Sequence, residues 1–291
     1  MTDVAVRIEA HRAVLSPSER QVAEVVLRDP ETVAFGTVAR VASAASTSGA
    51  SVVRLANRLG YAGFSGLQAA VQSAIGQQLR PAVERIRREH GSDVVSRTLR
   101  AELDNVERTL SAVAPEAFDA AVDLLADLRR EVLVVAGDAE SGVGAMFAAM
   151  LALVREDVAQ VGGSDVAVAR RMAGCGPDTV VVAIDLRRYE RWVVDCVGRA
   201  VGAGATALAV TDSPLSPLAA MTGGQPARSH GGVTFTVAAE GAGVFDSHVG
   251  TLALANALVT GTAARLRRTA ARRLDAVEAA WRAAGALVDG A

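Results

Sequence analysis

The chain has 291 residues, of which 51% are hydrophobic, and a formal net charge of −2 at pH 7. The hydrophobic fraction is enough for a core and excludes disorder over most of the chain, while the length predicts two domains. All thirty basic side chains are arginines, but the overall charge excludes a protein that is basic throughout, so any contact with nucleic acid must come from a local patch.

Few residues suit metal binding or disulfide bonding. Cys175 and Cys196 are too few for a disulfide framework or a zinc cluster, and the four histidines, including His230 in SHGG, lack metal-ligand spacing. The start of the chain lacks the order of a secretion signal, and charged residues interrupt every apolar stretch before it could cross a membrane. We therefore expect a cytoplasmic protein with no metal ion, no cofactor and no membrane partner.

The first predicted elements are short helices. In LSPSER, Ser16 is the predicted N-cap, Pro17 the first helical residue and Glu19 the glutamate of a capping box. Pro30 ends this helix, and TVAFGTVARVASAA predicts a second helix over residues 32–45.

A third helix is predicted after a break at residues 46–48. Ser48 is its N-cap, and it runs to Leu59 with Gly60 closing it. Two helices joined by so short a turn predict a helix-turn-helix, whose second helix presents its N-terminal residues to base edges in the major groove. The alternative is a three-helix domain that binds no DNA, because such a domain also contains a turn of this kind.

Small and basic residues mark the start of this third helix. Small residues let the backbone approach phosphates, which the positive end of the helix dipole attracts. In this interpretation Arg54 reaches a guanine edge, while Arg58 or Arg40 holds the DNA backbone. The residues at the DNA-facing end are Ser48, Gly49, Ser51 and Arg54.

Four motifs follow one another between about residues 15 and 70: LSPSER, DPETVAF, S-x-x-S-V-V-R and LGYAGFSGL. In order and spacing they closely resemble the N-terminal DNA-binding domain of the RpiR/MurR family of bacterial transcriptional regulators. Family members commonly have glycine in the turn and threonine at positions 46 and 51. The residues that this resemblance places at the DNA-facing start of the helix are Ser48, Ser51, Val52 and Arg54.

The pattern changes at Val132, where unbroken apolar runs begin to alternate with helical stretches. Valine-rich runs that do not alternate are typical of strands covered on both faces, so they predict a doubly wound parallel α/β sheet. The predicted strands are VLVVAG, DVAQVG, TVVVAID, ATALAVTD and VTFTVAAE.

Two further helical stretches carry apolar stripes. Helix-turn-helix proteins commonly bind palindromic operators as two-fold symmetric dimers. The stripes and this symmetry together predict a homodimer or a dimer of dimers. The stripe of the connecting helix comprises Leu99, Leu103, Val106, Leu110 and Val113. The stripe of the C-terminal segment comprises Leu266, Leu274, Val277 and Trp281, with Arg265, Arg268 and Arg272 off it.

The second half also resembles a known domain. The segments VLVVAGDAESG, GPDTVVVAID and GATALAVTDSPLSPLA look like the sugar isomerase (SIS) domain that RpiR/MurR regulators carry, and they imply a flavodoxin-like strand order. The expected division is a helix-turn-helix domain over residues 1–80, a helical connector over 81–115, an SIS-like effector and dimerisation domain over 116–264, and a C-terminal helix over 265–291.

The predicted ligand crevice lies beyond the carboxyl ends of the strands, where the winding reverses. The resemblance implies loops rich in glycine, serine and threonine that cradle a sugar phosphate, but this chain has GDAESG and IDLRRYE instead. Asp138, Glu140 and Asp185 put negative charge there, and like charges about 4 Å apart repel by about 4 kcal/mol. Simple phosphosugar binding is therefore not expected unless Arg187 and Arg188 neutralise these carboxylates or bind the anion themselves, with Ser141 at the start of a helix beside them.

Two interpretations of this crevice stay open. It binds a polyol, an amino sugar or another cationic or hydroxylated metabolite, or else Asp185 pairs with Arg187 or Arg188 and closes it. The candidate ligand-binding residues are Asp138, Glu140, Ser141, Asp185, Arg187, Arg188, Thr211, Ser213 and His248.

We thus expect a dimeric transcriptional regulator, not an enzyme, that binds a double-stranded DNA operator and senses a small metabolite. In one alternative the SIS-like domain only assembles the oligomer. In another the protein is a sugar isomerase, with Glu240, Asp246 or His248 as the base.

Overall fold

A computed structural model describes residues 3–78, 93–214, 216–222 and 232–287. The expected domain boundary between residues 80 and 81 lies outside these residues, and so does His230. The described elements fall into a helical group before residue 79 and an α/β group after residue 92. The helices of the first group are α1 (Asp3–His11), α2 (Pro17–Arg28), α3 (Pro30–Phe35), α4 (Val38–Ala44), α5 (Gly49–Arg58) and α6 (Gly63–Gln78).

The start of α2 confirms the predicted capping box. Ser16 Oγ accepts a hydrogen bond from the Glu19 main-chain N–H, and the Glu19 carboxylate accepts one from the Ser16 N–H at 2.8 Å. These bonds satisfy main-chain donors that a helix start otherwise leaves without partners. The side chain of Asp29, which follows α2, then caps α3.

The single helix predicted over residues 32–45 is wrong, because α3 and α4 are separate. Gly36 between them is extended, with φ −94° and ψ 177°. A Cβ there would lie 2.2 Å from the Thr32 carbonyl oxygen, so the close approach requires glycine. The Thr37 side chain then caps α4 by accepting a hydrogen bond from the Arg40 N–H.

The α/β group confirms the predicted fold class. Its five parallel strands have the flavodoxin-like order β2-β1-β3-β4-β5. The strands are β1 (Glu131–Ala136), β2 (Val158–Val161), β3 (Thr179–Ile184), β4 (Thr206–Thr211) and β5 (Val233–Thr236). The helices are α7 (Val94–Ser111), α8 (Pro115–Ala126), α9 (Ser141–Val154), α10 (Asp165–Met172), α11 (Arg191–Gly202), α12 (Pro217–Thr222), α13 (Val249–Leu266) and α14 (Arg268–Ala283).

Both faces of the sheet are buried, as the continuous apolar runs predict. Alternate residues of one strand enter different cores, so Val134 packs toward α8, α9 and α13, while Val135 packs toward α11 and α12. Because every strand points the same way, the loops after β1, β3 and β4 gather at one edge of the sheet. That edge carries the predicted crevice.

Helix α13 departs from the expectation that charges interrupt every apolar stretch. Among the described residues it is the one helix long and apolar enough to cross a membrane, with a mean hydropathy of 1.2 over 18 residues. It packs against α7, α8 and α9, as a core helix does. The C-terminal segment is not continuous with it, because Arg267, at φ 41°, separates α13 from α14.

Candidate functional sites

The first candidate site is the pair of helices α4 and α5. A tight turn joins them, with Ser46 in the left-handed region at φ 48°. Gly49 at the start of α5 lies close to α4, since a Cβ on it would be 3.1 Å from Val38 Cγ1. The inner face of α5 enters a core shared with α2 and α6, so its outer face is fixed.

The start of α5 presents some of the predicted DNA-contacting residues but not all. Ser48 and Arg54 are exposed, and so is Arg40 on α4. The prediction that Val52 faces DNA is wrong, because Val52 has no exposed surface and packs in the core. The prediction of a direct contact by Ser51 is also wrong, because only 2% of this residue is exposed.

Ser51 instead orients the arginine beside it. Its Oγ accepts a hydrogen bond from Arg54 Nη2 at 2.9 Å and lies 3.2 Å from Ser48 Oγ. The Arg54 guanidinium is therefore held near the N-terminus of α5, where a helix docked in the major groove meets the bases.

Arg58 has a structural contact that the sequence did not suggest. Its Nε donates to Glu19 Oε1 at 3.1 Å, and the Glu19 side chain is only 1% exposed. The other Glu19 oxygen accepts the capping-box bond from Ser16. One buried carboxylate thus ties α5 to the start of α2, and the expected phosphate contact of Arg58 remains a prediction.

The second candidate site lies beyond β1 and β3, where three carboxyl groups converge on Gly137. A Cβ on Gly137 would lie 2.5 Å from Glu140 Oε2, 2.9 Å from Asp185 Oδ1 and 3.2 Å from Glu190 Oε1. Only glycine leaves room for these oxygens. Glu140 is 5% exposed and Asp185 is 1% exposed, so two of the three acids are buried.

Burial changes the acidity of these groups. Burial, followed by the nearby charge of Asp185, raises the pKa of Glu140 to about 7. Burial also raises the pKa of Asp185 to about 7, against the hydrogen bond it accepts from the Glu190 N–H. Both carboxyl groups therefore titrate near neutrality, far above their usual range. The Glu190 carboxylate accepts hydrogen bonds from the Asp138 N–H and the Trp192 indole.

Arg187 does not make the predicted pair with Asp185. Its Nε lies 3.3 Å from Asp246 Oδ2 and 3.7 Å from Asp212 Oδ2, so it joins the loops after β3, β4 and β5. Asp212 also accepts a hydrogen bond from Tyr189 Oη at 2.8 Å. Burial, and then the charge of Asp212, raises the pKa of Tyr189 well above its usual range, so the phenol stays protonated.

The remaining predicted ligand residues surround these acids at different depths. Asp138 and Ser141 are exposed, and Ser141 Oγ donates to the Asp138 carbonyl oxygen at 2.7 Å. Arg188 is exposed, with its backbone at φ 72°. Thr211 and Ser213 are completely buried. His248 is half-buried at the start of α13, and burial lowers its pKa.

Sequence reasoning missed Glu190 and Tyr189. Both lie in the loop after β3, in LRRYE, directly before the first residue of α11. A polar residue just before a helix at the carboxyl end of a strand was the available signal, because that position faces the crevice.

Two family models match the chain. Residues 2–78 match the model described as helix-turn-helix domain, rpiR family, and residues 124–261 match the SIS domain. The chain belongs to the RpiR family. As an RpiR-family protein it is a transcriptional regulator that joins a DNA-binding helix-turn-helix domain to an SIS domain.

Named relatives agree with the RpiR assignment. The chain is 27% identical to an HTH-type transcriptional regulator of Caldanaerobacter subterraneus, over 75% of this chain and 77% of the relative. It is 26% identical to the HTH-type transcriptional regulator HexR of Pseudomonas aeruginosa, over 74% of this chain and 76% of the relative.

Two solved structures share the RpiR fold. The sugar isomerase domain of an RpiR transcription factor from Sphaerobacter thermophilus is 25% identical and has a TM-score of 0.56, covering 64% of this chain and 99% of that one. Vibrio vulnificus NanR, complexed with ManNAc-6P, is 20% identical and has a TM-score of 0.55, covering 96% of this chain and 97% of that one.

Proposed function

We propose that this RpiR-family regulator acts as a homodimer whose α5 helices bind an operator and whose acidic crevice binds an amine-bearing or hydroxyl-rich metabolite. We also propose that it has no enzymatic activity and acts in the cytoplasm. The four-part division at residues 80, 115 and 264 remains part of the proposal. The observation that carries the choice of effector is the convergence of three carboxyl groups on Gly137.

The DNA contacts in this proposal come from the exposed start of α5. Ser48 and Gly49 let the helix start approach a phosphate, whose charge the helix dipole favours. Arg54, oriented by Ser51, reaches a base edge, and Arg40 on α4 holds the backbone. A bidentate arginine–guanine contact contributes about 1–3 kcal/mol of discrimination.

Replacing Arg54 with alanine tests this contact. The preference for operator over random duplex should fall about 10- to 100-fold, measured by fluorescence anisotropy at physiological salt. Arg12→Ala is the matched control, because Arg12 is exposed in the same domain but pairs with Glu9 instead of lying on α5. Equal affinity of the wild-type protein for operator and random duplex would refute the proposal.

The effector class follows from the charge and acidity of the crevice. Carboxyl groups that titrate near pH 7 donate and accept hydrogen bonds when neutral, and they pair with an ammonium group when ionised. A phosphate would be repelled by the same acids whenever they are ionised. The ManNAc-6P in the NanR complex carries a phosphate, so we propose that the two proteins differ in effector chemistry.

Titration calorimetry with glucosamine, sorbitol and glucose 6-phosphate separates these possibilities. Glucosamine or sorbitol should bind and glucose 6-phosphate should not. Because an ammonium ion favours ionised carboxylates, glucosamine binding at pH 7 should also release protons, which makes the heat depend on the buffer. Tight binding of glucose 6-phosphate that Ser141→Ala abolishes would refute this assignment. Binding of none of the three would favour a domain that only assembles the oligomer.

Two of the three residues named above as a possible isomerase base are held by arginines, which favours a regulator. Asp246 is held by Arg187, and Glu240 lies at the surface within 3.4 Å of Arg108. An effector would then control DNA affinity only through a difference in its own affinity for two arrangements of the dimer. Turnover of glucose 6-phosphate or glucosamine by the purified protein would overturn this part of the proposal.

A further inference from the structure

Helix α7 has one face fixed by the SIS domain. Asn105 and Thr109 are buried there and bind the segment after β5. Asn105 exchanges two hydrogen bonds with the main chain of Glu240, and Thr109 Oγ1 accepts one from the Ala238 N–H at 2.9 Å. This face also packs on α13. The rotation of α7 about its own axis is therefore set.

The face of α7 next to this buried one carries an exposed apolar stripe. Val95 is 81% exposed, Leu99 59%, Leu103 62% and Leu110 40%. Phe245, 77% exposed, lies in the loop that Ser247 ties to Glu102 of the same helix. A contiguous apolar surface of this kind on a regulator is typical of a protein interface.

Charges beside the stripe indicate what covers it. Arg100 and Glu107 are seven residues apart, so they lie two turns apart along one edge of the stripe, on either side of Leu103. An antiparallel copy of α7 crossing near Leu103 brings Arg100 against Glu107 of the other copy, twice. A parallel copy would place the charged edges of the two helices on opposite sides of the contact, so Arg100 and Glu107 of the two copies would not meet.

We infer that α7 pairs antiparallel with α7 of a second copy of this chain, about a two-fold axis near Leu103. Such a contact is isologous, which means that both copies use the same surface. Because the stripe carries both Arg100 and Glu107 along its edge, it is complementary to a second copy of itself. This inference deepens the homodimer of the proposed function and rests on it. It assigns the dimer contact to a surface whose charge pattern fits a second copy.

The oligomeric state of the full chain tests the inference. By analytical ultracentrifugation, Leu103→Asp should raise the dimer dissociation constant about 100-fold or more, because each dimer loses two buried leucines and gains two buried charges. Val166→Asp is the matched control, since Val166 is 78% exposed on α10, and it should leave the dimer unchanged. A monomeric wild-type protein, or a Leu103→Asp variant that dimerises like wild type, would overturn the pairing.

A charge exchange at exposed positions keeps the test independent of folding. Arg100→Glu or Glu107→Arg alone should weaken the dimer about tenfold, and the double exchange should restore it. Failure of the double exchange to restore the dimer would overturn the antiparallel register. Neither measurement uses DNA or an effector, so failure of operator binding is scored separately from failure of this pairing.

Discussion

Replacing Glu140 with glutamine should change how the stability of the SIS domain depends on pH. In the wild-type protein the Glu140 carboxyl group is buried beside Asp185, and its pKa is raised to about 7. The folded state therefore holds a proton that the unfolded state loses near pH 4.5. Because the folded state binds more protons between these values, the free energy of unfolding falls as pH rises from about 4.5 to 7.

The size of the effect follows from the shift. A rise from 4.5 to about 7 corresponds to about 3 kcal/mol for Glu140 alone. Glutamine keeps the shape and the polar atoms but cannot ionise. Glu140→Gln should therefore be more stable than wild type at pH 8 by up to about 3 kcal/mol, with a smaller difference at pH 5.

Urea denaturation followed by tryptophan fluorescence measures this difference at pH 5, 6, 7 and 8. Both tryptophans, Trp192 and Trp281, lie in the α/β group, and Trp192 binds the Glu190 carboxylate directly. Glu278→Gln, at an exposed position on α14, is the matched control and should follow the wild-type curve. If wild type and Glu140→Gln lose stability in parallel across this pH range, the assignment of a buried, proton-binding carboxyl group is refuted.

Two further substitutions test contacts that fix the sites. Arg58→Ala should lower the free energy of unfolding of the N-terminal domain by about 1–2 kcal/mol, because it leaves the buried Glu19 carboxylate without its cation. Calorimetry should show this as a lower transition temperature, and an unchanged transition temperature would contradict this role of Arg58. Gly137→Ala should destabilise the SIS domain by about 1–3 kcal/mol in the fluorescence assay, because its Cβ would overlap the Glu140 carboxylate. Gly142→Ala, whose Cβ would meet nothing within 4 Å, is the control, and equal losses in both variants would contradict the close packing.

The sequence predicted features set by local interactions. The capping box at Ser16 and Glu19 needs only residues within one turn, and the five strands follow from valine-rich runs. The split between α3 and α4 was missed because the valines and alanines on both sides suit one continuous helix. The signals for the break, Gly36 and the cap at Thr37, act through main-chain geometry, which apolar spacing does not report.

The sites were harder to predict because their contacts join distant segments. Val52 lies three residues before Leu55 and seven before Leu59 on the buried side of α5, so its helical spacing already indicated the core. The resemblance to a DNA-binding motif predicted a DNA-facing position for Val52 instead. The partner of Arg187 is Asp246, on a different loop, and no local pattern distinguishes it from the adjacent Asp185.

The double attachment of Glu19 limits how a metabolite can act on DNA affinity. One oxygen of the Glu19 carboxylate binds the start of α2, and the other binds Arg58. If α5 tilted within its domain, this buried carboxylate would lose its bond to Arg58, which is unfavourable. A rigid-body movement of the whole helical domain breaks neither of these bonds. An effector should therefore set the spacing and angle of two rigid DNA-binding domains, and the variant that frees α5 to tilt, Arg58→Ala, should blunt the response of operator affinity to effector.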